Sequence, residues 1–216
     1  HVYASLGNTL SSQGKVDEAV LAYQHALKIN PNFAPVYNNL GNALMRLGKL
    51  EEALDTFYRS IKLQPNAEAF YNAHSLLIDV DDMAPAIQCL QCAINLKPRN
   101  TEFKFFLGML LEYSGKAQDA EPYFEDVRQH GSVLDQARLD AWNYMRSAGA
   151  KIPRIVGSRI EALQLGMAAA PRSGLVLEFG VRNGVSIRQI ANLIPQQVHG
   201  FDSFEGLPEA WHDEPK

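Results

Sequence analysis

The sequence predicts an α-helical solenoid of stacked hairpins over about its first 130 residues, followed by the opening of an α/β unit that runs to residue 216. Three observations predict this. A Leu-Gly pair with Gly, Ala, aromatic and Pro positions behind it recurs at a fixed offset, as in a chain made of one supersecondary unit stacked on itself. Near Gly174 the apolar pattern changes from helical spacing to a short continuous run, the reading of a buried parallel strand. That run closes on a glycine-rich turn, Gly180-Val181-Arg182-Asn183-Gly184.

The repeats come first. Leu6-Gly7 returns as Leu40-Gly41, and Gly14, Ala19, Tyr23, Ala26 and Pro31 return as Gly48, Ala53, Phe57, Ser60 and Pro65, each 34 positions on. A third copy, one residue shorter, keeps Ala86, Leu90, Ala93 and Pro98 but carries His74-Ser75 in place of Leu-Gly. A fourth restores Leu107-Gly108, Gly115, Ala120 and Phe124. The copies divide the chain at about 1–31, 32–65, 66–98 and 99–131. Small residues at Gly7, Gly41 and Gly108, and at Ala19, Ala53, Ala86 and Ala120, let neighbouring helices approach, while the aromatic or Leu one turn on fills the groove. Gly14, Gly48 and Gly115 stand where the first helix must stop, because glycine enters the left-handed region without a Cβ penalty. Pro31, Pro65 and Pro98 end the second helix of each pair.

This set resembles the tetratricopeptide repeat family, whose signature has the same residue types and the same period. The resemblance covers about 130 residues and implies a right-handed superhelix with a concave groove, lined by the first helix of each hairpin (helix A), that receives extended peptides. Helix A of the first copy offers Ser5 and Asn8, and helix A of the second offers Asn38, Asn39 and Asn42. Asn8, Asn38, Asn39 and Asn42 are the candidate peptide-binding residues, because a side-chain amide can pair with a ligand backbone whatever its sequence. The same asparagines read equally as solvated residues on a polar face. Phe106 and Met109 stand in the fourth copy where Asn39 and Asn42 stand in the second, so the groove is expected to turn apolar toward its far end.

Behind the repeats, residues 132–150 show helical spacing of Leu134, Ala137, Leu139, Trp142 and Met145 without the repeat signature. They read as a helix capping the apolar face of the last repeat, with Trp142 large enough to cover much of it. Lys151-Ile152-Pro153-Arg154 breaks that pattern, so residues 151–172 are expected to be a linker and one further helix. The α/β unit, residues 173–216, would hold a strand at 174–180, a helix at 186–193 ended by Pro195, and a second strand at 198–202.

The glycine-rich turn lacks the middle glycine of a dinucleotide site and follows an acid, Glu178. An acid, one residue, a glycine and a second glycine four positions on resembles motif I of class I S-adenosylmethionine-dependent methyltransferases. The stretch from Leu175 to Trp211, with its Phe-Asp-Ser-Phe-Glu-Gly-Leu-Pro string, looks like the first β-α-β of the macrocin O-methyltransferase type. The resemblance implies a Rossmann-like α/β domain that binds S-adenosyl-L-methionine. Gly180 and Gly184 would give the cofactor room against the backbone, and Glu178 would stand near its ammonium. Asp202 would take the ribose hydroxyls, with Ser203 and Phe204 beside the adenosine. Arg182 departs from the wider motif, where glycine is usual. Only 14 residues follow Asp202, so the domain is expected to be incomplete, with its catalytic residues and its small-molecule methyl acceptor site beyond Lys216.

Composition sets the remaining limits. With 20 Lys and Arg against 24 Asp and Glu the formal net charge is -4, and no dense basic tract is present to neutralise phosphates, which disfavours a nucleic-acid partner. No apolar stretch approaches the roughly 20 residues that span a bilayer. A soluble, cytoplasmic protein without membrane partners is expected. Cys89 and Cys92 form one C-x-x-C, half of a structural zinc site, and read best as small hydrophobes beside Ala86 and Ala93, so no metal is expected. His25, His74 and His130 are isolated and assigned no chemistry. The chain opens at His1, already inside a repeat, and is expected to be a fragment. The function expected is a peptide-binding repeat module joined to a methyltransferase. The alternatives are a scaffold with no catalytic activity, and repeats serving an O-linked N-acetylglucosamine transferase, against which the β-α-β pattern argues.

Overall fold

The computed structural model describes residues 1–79, 81–147, 155–169, 176–179 and 198–201. Helices α1 (Val2–Ser12) and α2 (Val16–Ile29), α3 (Ala34–Arg46) and α4 (Leu50–Leu63), α5 (Ala67–Leu76) and α6 (Ala84–Leu96), and α7 (Thr101–Tyr113) and α8 (Ala117–His130) form four consecutive hairpins. Each hairpin packs on the next. Helices α9 (Val133–Ser147) and α10 (Arg159–Ala169) follow, and then strands β1 (Val176–Phe179) and β2 (Val198–Phe201).

The hairpin turns are made by the glycines that the spacing singles out. Gly14, Gly48 and Gly115 have φ of 79°, 77° and 81°. In each turn the lysine after the glycine donates its N–H back to a carbonyl of the last helical turn, Lys15 to Leu10 at 2.9 Å, Lys49 to Leu44 at 3.0 Å and Lys116 to Leu111 at 2.9 Å. This is the Schellman pattern, which satisfies carbonyls that a helix end otherwise leaves orphaned. The third copy has Asp81-Asp82 where the others have this glycine. Helix α5 accordingly stops after 10 residues rather than the 13 of α3. The longer connection is held by Asx turns, with Asp79 Oδ1 accepting from Asp81 N and Asp82 Oδ1 from Ala84 N, both at 3.0 Å.

Packing inside each hairpin is a glycine against a ring. A Cβ on Gly7 would lie 2.5 Å from the Tyr23 ring, one on Gly41 2.5 Å from Phe57, and one on Gly108 2.7 Å from Phe124. The close approach is thus between the two helices of one hairpin, with the aromatic of the second helix seated over the glycine of helix A. In the third copy Ser75 and Leu90 occupy these rows, Ser75 half-buried and Leu90 fully buried. One apolar cluster joins α1 to α4 and reaches Ala73 and Cys89, and a second joins α6, α7, α8 and α9 through Leu90, Leu107, Phe124 and Trp142.

Helix α9 lies in the stretch read as a cap. Leu139 and Trp142 bury against α7 and α8, and Trp142 Nε1 donates to Glu112 Oε2 at 2.7 Å. Its start is a reciprocal cap, with Ser132 N donating to Asp135 Oδ2 and Asp135 N to Ser132 Oγ, both at 3.2 Å. Helix α10 begins at an equivalent pair, Ser158 and Glu161. Strands β1 and β2 pair in parallel with Val176 opposite Val198 and Phe179 opposite Phe201. Parallel pairing requires a crossover between them, and the helix read at 186–193 falls outside the described residues. Among the described residues no helix is long and apolar enough to cross a membrane.

Candidate functional site

The asparagines singled out by the repeat spacing converge on one surface. Asn8 on α1 accepts two hydrogen bonds at Oδ1, from the Tyr23 hydroxyl at 2.8 Å and from Asn39 Nδ2 on α3 at 2.9 Å. Asn38 Oδ1 accepts from Asn72 Nδ2 on α5 at 3.0 Å. Carboxamide pairs therefore bridge α1 to α3 and α3 to α5. Asn42, one turn beyond Asn38 and Asn39, is half-buried, and its side chain forms no hydrogen bond among the described residues. Asn72 is the member that the sequence reading did not name. Its signal was in the period, since it stands 34 positions after Asn38.

Each pairing leaves polar capacity unused. An amide offers two N–H donors and two acceptor lone pairs, so Asn8 and Asn38 keep their NH₂ groups and Asn39 and Asn72 keep their carbonyl oxygens. The surface displays donors and acceptors in alternation without a formal charge. A pocket of about 250 Å³ opens at the N-terminal ends of α3 and α5, lined by Pro35, Asn38, Asn39, Gln64, Asn66 and Glu68. Two of its groups are already engaged: Asn66 caps α5 by accepting from Ala69 N at 2.8 Å, and Glu68 pairs with Lys97. That pair holds the Glu68 carboxyl below the usual carboxylate range.

Further along, the equivalent rows hold apolar residues. Phe106 and Met109 are half-buried in the second apolar cluster. Phe106 packs tilted against Tyr71 and His74 and edge-on to Phe105, and the Arg138 guanidinium lies 5.7 Å from its ring centre. Burial, with the Glu102 carboxylate beside it, pushes the Tyr71 phenol above its ordinary range. His74 Nδ1–H donates to the Tyr71 carbonyl, and burial pushes its imidazole down to about 4, so it is neutral at physiological pH. In a second pocket, about 310 Å³ near Arg99, Ser132 and Asp135, the lining carboxylate is already engaged: Asp135 accepts from Thr101, Ser132 and Arg138.

Of the residues assigned to a cofactor, Glu178 lies in β1, paired in register with Gly200 of β2. Gly180, Gly184, Asp202, Ser203 and Phe204 lie outside the described residues. Among the described residues no group of three or more His, Cys, Asp or Glu is placed to hold a metal ion.

Comparison with known proteins bears on the helical part. Residues 7–48 match a family model described as a TPR repeat, and residues 34–72 match one described as the tetratricopeptide repeat. No curated protein matches the chain. YrrB, a solved structure described as a TPR protein with an unusual peptide-binding site, is 28% identical over 59% of this chain and 66% of its own, with a TM-score of 0.54. The chain thus spans just under two thirds of the length of YrrB. MamA 41-end from Desulfovibrio magneticus RS-1 is 23% identical over 59% of this chain and 72% of its own, with a TM-score of 0.52. Another MamA structure is 22% identical over 89% of this chain and 90% of its own, with a TM-score of 0.54. The MamA likeness speaks to fold alone. The repeat matches place tetratricopeptide repeats within residues 7–72, and the solved structures share the fold of the stacked hairpins.

Proposed function

We propose that the repeats receive an extended peptide along the asparagine surface of α1, α3 and α5, and that they do so for an S-adenosylmethionine-dependent methyltransferase whose first β-α-β unit begins at β1. The observation that carries the first half is the pair of bridges, Asn39 to Asn8 and Asn72 to Asn38, which holds four amides in fixed orientation across three repeats. Amides held this way lose little side-chain entropy when a backbone pairs with them, and they read its peptide groups rather than its side chains. The peptide-binding description of YrrB supports the same use of this fold.

The second half rests on the motif from Leu175 to Trp211, and the parallel pairing of β1 with β2 is what a β-α-β unit requires. In this reading Glu178, Gly180, Gly184, Asp202, Ser203 and Phe204 hold S-adenosyl-L-methionine, and the acceptor is a small molecule in a cytoplasmic setting. A cationic sulfonium near Glu178 is electrostatically favoured over a pyrophosphate there. The competing reading is a peptide-binding scaffold without catalytic activity, which fits the asparagine surface equally well.

Two measurements separate these. Random ten-residue peptides displayed on phage should yield binders with weak sequence preference, lost by tenfold or more in an Asn38→Ala/Asn39→Ala/Asn42→Ala variant that melts like the parent. Binders that survive this variant sink the peptide reading. Calorimetric titration of the full-length gene product with S-adenosylmethionine should give heat that Asp202→Ala removes. No heat in either protein leaves the scaffold standing alone.

A further inference from the structure

The end of the groove opposite the asparagine pocket is already taken. The pocket opens where α3 and α5 begin, at Pro35, Asn38 and Asn66. Where those same helices end, about 20 Å away for a helix the length of α3, residues 155–160 lie against them. Ile155 packs on the second apolar cluster. Gly157 sits on the carbonyl of Ser75, in the last turn of α5, so closely that a side chain there would collide with backbone. Ile160 is 8% exposed and lies over Gly48, its Cγ1 3.5 Å from where a Cβ on that glycine would be. Ser158, between them, is buried and caps α10 with Glu161.

The partners of Gly157 and Ile160 are a residue of helix A, Ser75, and the turn that ends the preceding helix A, Gly48. The contacts of Gly157 on the third hairpin and of Ile160 on the second define a strap running back along the array. The turn at Gly115 has the same backbone conformation as that at Gly48 but faces open space, so the contact over Gly48 does not follow from the turn itself.

We infer that residues 155–160 are the resident occupant of the groove edge formed by the ends of α3 and α5, anchored by Ile160 over Gly48, and that this edge is closed to a ligand while the strap is seated. A ligand is then confined to the pocket end of the helices. The inference is independent of the proposed function, since it holds whether or not any peptide binds.

Trypsin cleavage after Arg159, followed by mass spectrometry on the 216-residue chain, reads the strap directly. The parent should be cut there at least tenfold more slowly than Ile160→Asp or Gly157→Val, and both variants should bind more 8-anilinonaphthalene-1-sulfonate as the edge opens. A paired control removes the effect of turn strain. Gly48→Val and Gly115→Val strain equivalent turns, but only Gly48→Val should accelerate cleavage. Parent cleavage as fast as that of Ile160→Asp overturns the strap, and equal acceleration by Gly48→Val and Gly115→Val overturns the slot.

Discussion

The ring of Phe57 covers Gly41 so closely that a Cβ on residue 41 would lie 2.5 Å from ring carbon Cε1. Phe57 is fully buried, so it cannot swing away. Gly41→Ala should therefore destabilise the array by about 2 kcal/mol, the usual cost of overpacking less the gain in helix propensity. Gly166 on α10 has nothing within 4 Å of the same position. Gly166→Ala should be neutral or raise helix stability by up to ~1 kcal/mol. Urea unfolding of the two variants checks the contrast, and equal effects would show that the ring contact is not what selects glycine at position 41.

The repeat was legible because its local rules and its packing agree. Glycine at 14, 48 and 115 is demanded by the left-handed turn, and glycine at 7, 41 and 108 by a ring across the hairpin, so one spacing records both constraints. What the sequence could not show is which polar groups meet. Asn39 and Asn8 are 31 positions apart, not 34, because the bridge joins different positions of successive A helices. The strap was illegible for a related reason. Ile160 and Gly48 are related by no period, and only the path of the chain back across the array brings them together.

His74 stands where the other copies have leucine, and its burial makes stability depend on pH. The folded protein holds the imidazole at about 4, while the unfolded chain titrates near 6.5. The unfolded state therefore binds the proton first. Stability from this residue is complete above pH 6.5 and falls as pH drops toward 4, by at most about 3 kcal/mol. His74→Leu should abolish this component. Thermal melts of parent and variant at pH 7.5 and 4.5 check it: a difference between the two proteins that does not change with pH would exclude the titration.

Cys89 and Cys92 sit three residues apart on α6 but differ in surroundings. Burial pushes the Cys89 thiol up to about 11, whereas Cys92 is half-buried. The thiolate is the nucleophile, so at pH 8 only about one Cys89 in a thousand is reactive at any moment. Iodoacetamide should label Cys92 first, with Cys89 labelled at least tenfold more slowly until the protein is unfolded in urea. Equal labelling of both in the folded protein would contradict the buried small-hydrophobe role.

Trp142 closes the stack, and its two ends act differently. The indole is 4% exposed against α7 and α8, while Nε1 donates to Glu112, which also pairs with Arg146 at 2.7 Å. Trp142→Ala should cost about 3–5 kcal/mol, the range for deleting a large buried aromatic. Trp142→Phe keeps much of the apolar cover and, because Glu112 retains Arg146, should cost only about 1–2 kcal/mol. Each repeat contacts only its neighbours, so the loss should be spent locally. Hydrogen exchange should accelerate in α7 and α8 of the Trp142→Ala protein while α1 to α4 keep the parent's protection, and uniform acceleration along the array would show that α9 stabilises the stack as a whole rather than its last hairpin.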